Sequence, residues 1–173
     1  MSVDLIVQPG QPPSHGVLRC ETATFACVLG RSGLRLDKHE GDGATPAGRF
    51  ALRRVLYRAD RIAAPVTKLP LAAIARDDGW CDESTDPNYN RPVKLPYGAS
   101  AEQMWREDGL YDLVVILGHN DAPVVPGHGS AIFLHVMSPE GLPTAGCVAL
   151  TRDHLLSVLA VVDRDSFIAI KNS

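Results

Sequence analysis

The chain has 173 residues, 45% of them hydrophobic and 21% charged, with a formal net charge of −3. That length suits one domain whose core needs no metal or disulfide staple, and the composition is that of a globular chain, not a disordered one. The slight acidic balance argues against a binder of nucleic-acid phosphates, which carries a basic excess, and no stretch reaches the roughly 18 apolar residues of a membrane span.

The opening MSVDLIVQPGQPPSHG has neither a charged leading region nor a long apolar run, so it does not read as a secretory signal peptide. Strand-like runs then follow: DLIVQ, GVLRC and TFACVLG, each short and bounded by turn residues. Two of the four cysteines, Cys20 and Cys27, fall here, and Cys81 and Cys147 come later. No Cys-x-x-Cys pair exists, which argues against zinc. A Cys20–Cys27 bridge across a hairpin is one reading, and buried free thiols are the other. Asp37, Glu40 and Asp42 resemble a calcium cluster at first sight, but their spacing fits no twelve-residue loop, and they read as turn residues.

The run GRFALRRVLY alternates imperfectly from Phe50, with Phe50, Leu52 and Arg54 on one side and Ala51, Arg53 and Val55 on the other. Arg53, Arg54 and Arg58 read as a solvated face. From residue 60 to 100 the chain is Pro-rich and weakly periodic, a partly structured excursion of the kind that shapes binding sites. Within it Trp80 reads as an anchor. Tyr89, Asn90 and Arg91 either line a cleft or form an ordinary loop held by Tyr89; Arg91 could fork onto a carboxylate. SAEQMWRED carries the capping-box pattern Ser100–Gln103 and predicts a helix over 100–108. YDLVVILG predicts a strand ending in His119 and Asn120, which are candidates for a pocket and equally good turn formers. His128, in VPGHGS, is expected to face solvent. AIFLHV and GCVAL predict strands, TRDHLLSVLAVVD a helix over 151–163 capped by Thr151, and FIAIKN a last strand. The whole is mostly β, with one or two short helices.

The stretch IFLHVMSPEGLPTAGCVALT concentrates the chemistry. If IFLHV and GCVAL are neighbouring strands, His135 and Cys147 come together. An imidazole beside a thiol can take its proton and make it a nucleophile. Backbone N–H groups around the cysteine would hold an oxyanion, and Gly146, without a Cβ, would let substrate approach the backbone. Taken alone, the pair is equally a small core cysteine and a satisfied strand histidine.

HVMSPEGLPTAGCVAL resembles the signature of the YkuD-type L,D-transpeptidases: a histidine, a loop, then Ser/Thr-His-Gly-Cys and a strand. EGDGATPAGRF resembles that family's Thr-Pro-x-Gly turn, and YDLVVILGHN and HGSAIFLH resemble the segments before its catalytic histidine. The similarity runs over roughly residues 15 to 170 and implies a single catalytic domain over 1–173 with an L,D-transpeptidase-type β-sandwich. It also implies a cysteine acyltransferase acting on peptidoglycan stem peptides, without metal or organic cofactor and sensitive to carbapenems. Residue by residue, Cys147 takes the nucleophile's place, His135 the base's, Gly146 that of the preceding glycine and Thr144 the Ser/Thr position. The N–H groups of Ala145, Gly146 and Cys147 become the oxyanion donors, and Thr144, His119, Asn120 and Arg91 the substrate-binding candidates. His119 is the rival base.

Three departures stand out: Ala145 replaces the motif histidine, Ala149 stands where an arginine is common, and Val136 replaces a glycine. The loop from Met137 to Pro143 is also short, with Pro139, Gly141 and Pro143, and is expected to be turn-like. It should leave the cleft wide and specificity to residues 80–100, His119 and Asn120. A transpeptidase is the leading reading, with an atypical crosslink from the first stem residue to the diaminoacid as a variant. A muropeptide amidase or L,D-carboxypeptidase using the same cysteine is second, and a non-catalytic wall-binding module third. The expected partners are stem peptides, not nucleic acid, and the expected state is a monomer. The family implies the periplasm or cell wall, while the missing signal peptide leaves the cytoplasm open.

Overall fold

The computed structural model describes residues 2–172. In chain order the elements are β1 (Leu5–Pro9), β2 (His15–Cys20), β3 (Ala23–Val28), β4 (Leu34–Arg35), β5 (Thr45–Pro46), β6 (Gly48–Tyr57), β7 (Leu71–Ala73), β8 (Asp78–Cys81), β9 (Pro92–Lys94), β10 (Ala101–Gln103), β11 (Leu113–Leu117), β12 (Phe133–Val136), β13 (Val148–Leu150), α1 (Arg152–Val161) and β14 (Phe167–Ile170). The main sheet has nine strands in the order β11-β12-β13-β3-β2-β1-β14-β6-β7, and β6 also pairs with β11. All but β7 therefore form a closed ring. The strands of that ring are the ones legible in the sequence. The mostly β class with one helix agrees with expectation, and the closed sheet encloses one apolar interior as the two layers of a sandwich would.

Strand β6 is the corner. Its first half pairs with β14 (Ala51 opposite Phe167), and its second half pairs with β11 on the other edge. The β11 register jumps between Ile116, opposite Arg54, and Leu117, opposite Leu52. This bulge explains the imperfect alternation: Leu52 and Val55, an odd step apart, both face the interior.

Period-two alternation sorts the ring residues into two clusters. Leu5, Val7, Leu18, Leu113, Val115, Leu134, Val148 and Leu150 point inward, where Leu155, Val158 and Leu159 of α1 pack against them. Val114, Ile116, Phe133 and Cys147 belong to a second cluster with Trp80, Met104 and Tyr111. That outer face is covered by a small sheet, β10-β8-β9, drawn from the excursion. Because both faces are covered, β11 is buried at every position. Helix α1 begins as predicted, with Thr151 accepting from the His154 N–H.

Two expectations are corrected, and of the two readings of Cys20 and Cys27 the free thiols hold. Residues 100–108 form no helix: Ala101–Gln103 pair antiparallel with β8, and Met104 N donates to Asp78 O. A capping pattern on so short a segment cannot outweigh a strand partner. The Cys20–Cys27 bridge is absent, since Cys20 sits opposite Ala23 and Cys27 opposite Gly16, and both thiols are free. Arg58 is not solvated but 2% exposed. It forks onto Asp60, donates to Arg106 O at 2.5 Å and lies 3.5 Å from the centroid of the Trp105 ring.

The two-cluster layout makes a direct prediction. Leu134→Ala, on the inward side of β12, should cost about 2–5 kcal/mol, whereas Leu142→Ala on the exposed loop should change stability by about 0.5 kcal/mol or less. Denaturant midpoints at unchanged slope would check both.

Candidate active site

Strands β12 and β13 run parallel, with Leu134 opposite Val148, His135 opposite Ala149 and Val136 opposite Leu150. Alternation therefore sends Phe133, His135, Cys147 and Ala149 to the outer face. There a cavity of about 400 Å³ opens, lined by both His135 and Cys147. The remaining walls come from the β3 exit (Arg31), the following turn (Lys38, Glu40), the small sheet (Asp82, Glu102), Arg106 and Tyr111.

The thiol is held by backbone. Cys147 Sγ donates to Ala131 O at 3.2 Å and accepts from Phe133 N at 3.3 Å. Burial pushes its pKa up to about 12, and the Glu102 carboxylate adds to the rise. His135 donates from Nδ1 to Val136 O at 2.8 Å, because a carbonyl only accepts. Nε2 is then the bare nitrogen of the neutral ring, free to take a proton. Burial lowers the His135 pKa to about 4, with Arg106 contributing in the same direction. Glu102 thus opposes a thiolate and Arg106 an imidazolium. Both groups rest neutral.

The carbonyl that receives the thiol belongs to a strained residue. Ala131 has φ +54, and its N–H donates to Asn90 Oδ1 at 3.0 Å. The same oxygen accepts from Trp80 Nε1 at 2.9 Å, while Asn90 Nδ2 donates to His119 O and Asn120 O. Tyr111 stacks edgewise on His135, with ring centroids 5.3 Å apart, and its hydroxyl donates to Glu102. Arg106 forks onto Asp108 and lies 3.6 Å from Glu102.

The loop before the cysteine is self-braced. Thr144 Oγ1 donates to Cys147 O at 2.6 Å and accepts from Gly146 N at 3.1 Å. Of the three expected oxyanion donors, the Gly146 N–H is therefore engaged. Among the described residues the Ala145 and Cys147 N–H groups have no hydrogen-bond partner. Gly146 has φ +149, and a Cβ there would meet Ala44 O at 2.9 Å. Backbone conformation and the Ala44 carbonyl by themselves require glycine at this position.

The other predicted residues are dispersed. Thr144 lines the cavity, while Arg91, His119 and Asn120 do not. Arg91 lines a separate space of about 220 Å³ with Arg53, Trp80 and Asp121. His119 stacks edgewise on Phe50, its Nδ1 buried without a partner, and burial lowers its pKa to about 4. Asn120 bonds Val125 and Gly129 and so organises the loop that follows it. Tyr89 and Trp80 are buried anchors and His128 is exposed, as read. Met137, Ser138, Leu142 and Pro143 line the cavity, so the short loop is a wall of the cleft. It is turn-like, with Gly141 N donating to Ser138 O, and is pinned by His15 Nε2 donating to Gly141 O. The loop therefore borders the same cavity as Asp82 of the 80–100 segment, while His119 and Asn120 lie outside it. Sequence reading missed Glu102, Arg106 and Tyr111. Their only sequence signal is a cluster of polar and aromatic residues just ahead of an apolar strand.

Comparison with family models gives a match over residues 10–170 to YkuD, the L,D-transpeptidase catalytic domain. Searches of curated proteins and of solved structures return no match.

A neutral thiol–imidazole pair has a distinct pH signature. Alkylation of Cys147 by iodoacetamide, followed by intact mass against Cys147→Ser, should keep rising above pH 9 without a plateau, because burial places the thiol near 12. A plateau between pH 6 and 8 would mean a resting thiolate–imidazolium pair. Catalysis that needs neutral His135 should fall only as pH drops toward about 4.

Proposed function

Because the chain belongs to the YkuD family of L,D-transpeptidase catalytic domains, we propose that it crosslinks peptidoglycan stem peptides through a thioester on Cys147. The family membership supports an L,D-transpeptidase-type activity on peptidoglycan. The observation that carries the finer reading is one cavity shared by a thiol, an imidazole with a bare Nε2 and two unengaged backbone N–H groups.

In this reading His135 Nε2 takes the Cys147 proton as Sγ attacks the donor carbonyl. The oxyanion that forms is held by the Ala145 and Cys147 N–H groups. The C–N bond breaks, and the leaving amine takes the proton back from His135. The amine of a second stem then attacks the thioester, His135 removes its extra proton, and the Cys147 thiolate leaves and is reprotonated. Because the resting pair is neutral, proton transfer and attack proceed together. The Val136 carbonyl keeps Nδ1 protonated throughout, so the ring presents the same nitrogen to both steps.

Charge in the cavity suits a zwitterionic peptide. The cavity walls carry the cations Arg31, Lys38 and Arg106 and the acids Glu40, Asp82 and Glu102. The loop from Met137 to Pro143, as a wall of the cleft, contributes to the choice of stem.

Mass analysis of muropeptides from sacculi incubated with the protein tests the reading. Dimers should form with the wild type, disappear with Cys147→Ser, and form roughly 10²–10⁴ more slowly with His135→Ala. Trimmed monomers without dimers would convert the reading to a hydrolase using the same thioester. Near-normal activity in Cys147→Ser would remove the nucleophile assignment.

A further inference from the structure

Ala149 occupies the position where the family pattern commonly has an arginine. It is 1% exposed, sits opposite His135 on one side and Val28 on the other, and carries no charge. A cation for an anionic substrate group must come from elsewhere. The cavity holds three, Arg31, Lys38 and Arg106. Two are committed. Lys38 Nζ is 2.5 Å from Asp42 Oδ1 and also donates to His39 O. Arg106 forks onto Asp108, with contacts of 2.5 and 3.1 Å. Arg31 is exposed, and among the described residues its side chain has no ion pair or hydrogen bond.

Its backbone is fixed close to the nucleophile. Arg31 N donates to Thr144 O at 2.9 Å, and Thr144 N donates to Leu29 O at 2.9 Å. These two bonds latch the end of β3 to the loop that carries Cys147. The side chain has a seat as well. A Cβ built on Gly43 would lie 2.8 Å from Arg31 Cζ and 2.9 Å from Nε, so the guanidinium rests over that glycine, whose φ is +70. A larger residue at 43 would displace it.

We propose that Arg31 binds the free carboxylate that terminates the donor stem peptide, in place of the arginine absent at position 149. The assignment rests on the proposed function. A planar guanidinium with unoccupied donors takes a carboxylate bidentately, and its latch to Thr144 sets that anchor at a fixed place beside the scissile bond. Arg31 is thus a specificity residue for peptides that end in an acid.

The test compares a stem tetrapeptide ending in D-alanine with its C-terminal amide, in the wild type, Arg31→Gln and Arg31→Lys. Arg31→Gln should raise KM for the free acid roughly 10–100-fold, the scale of a lost charge-assisted bond. It should leave kcat little changed, leave the amide indifferent and leave iodoacetamide alkylation of Cys147 at the wild-type rate. Arg31→Lys should recover part of the loss. Equal effects on acid and amide, or no effect on the acid, would overturn the assignment. If the wild type forms no thioester with either peptide, the proposed function fails. The anchor is then read by titrating the free-acid peptide into Cys147→Ser with and without Arg31→Gln. Equal affinities would overturn it, and a 10-fold or greater loss confined to the acid would sustain it.

Discussion

The side chain of Asn90 is the constraint on which the site depends. It is buried, sits at φ +56, and makes four hydrogen bonds to three separate stretches of chain. Two of its partners, Asn120 at φ +51 and Ala131 at φ +54, are themselves in the left-handed region. Each such residue costs on the order of 1–3 kcal/mol and persists only where its surroundings overdetermine it. The carboxamide supplies that overdetermination: its oxygen takes the Trp80 and Ala131 donors, and its nitrogen takes the two carbonyls at the end of β11. The small sheet, the end of β11 and the entrance to β12 are thereby fixed to one another. What they fix is the Ala131 carbonyl, the acceptor of the Cys147 thiol.

The electrostatics follow from the same enclosure. A sheet face covered by a second sheet excludes water, and an unpaired charge in such a place is costly. The site resolves this by keeping both the thiol and the imidazole uncharged and bracing each with backbone, Ala131 and Phe133 for sulfur, Val136 for the ring. Burial dominates at both groups; Glu102 at the thiol and Arg106 at the imidazole add to it, while Arg106 and Lys38 at the thiol and Asp108 at the imidazole act against it. Most charged groups of the cavity wall are themselves engaged: Lys38 with Asp42, Arg106 with Asp108, Glu40 with Tyr89 and Glu102 with Tyr111.

How much of this was readable depended on how strongly each residue is constrained locally. The ring strands announce themselves because burial on one or both faces demands β-branched and apolar residues in short runs. The pairing of His135 and Cys147 was legible because consecutive apolar runs are often neighbours. Strands β7 to β10 were not legible: three or four residues each, partly exposed, they owe their conformation to partners distant in sequence. The same holds for single residues. Arg58 looks like any surface arginine until Asp60, Trp105 and the Arg106 carbonyl surround it. Asn90 looks like a turn residue, and is one, yet its side chain does more than its backbone. Glu102 and Tyr111 reach the site only because β10 pairs with β8, a contact that the capping pattern at Ser100 concealed.

The ring of strands has a consequence for how the protein behaves in company. A strand with an open edge offers a row of unmatched amides on which another chain can be laid, the route to swapping and fibrous aggregation. Here each ring strand has a neighbour on both sides, except that β3 meets β13 only at Val28 and leaves Ala23–Cys27 unmatched on that edge; the one appended strand, β7, is three residues long and exposed throughout. That is too short a template to recruit a neighbour. Apart from that stretch of β3, the sheet offers an extended peptide little edge to join. In the proposed function, extended peptides are taken up instead in the cavity at the outer face of β12 and β13.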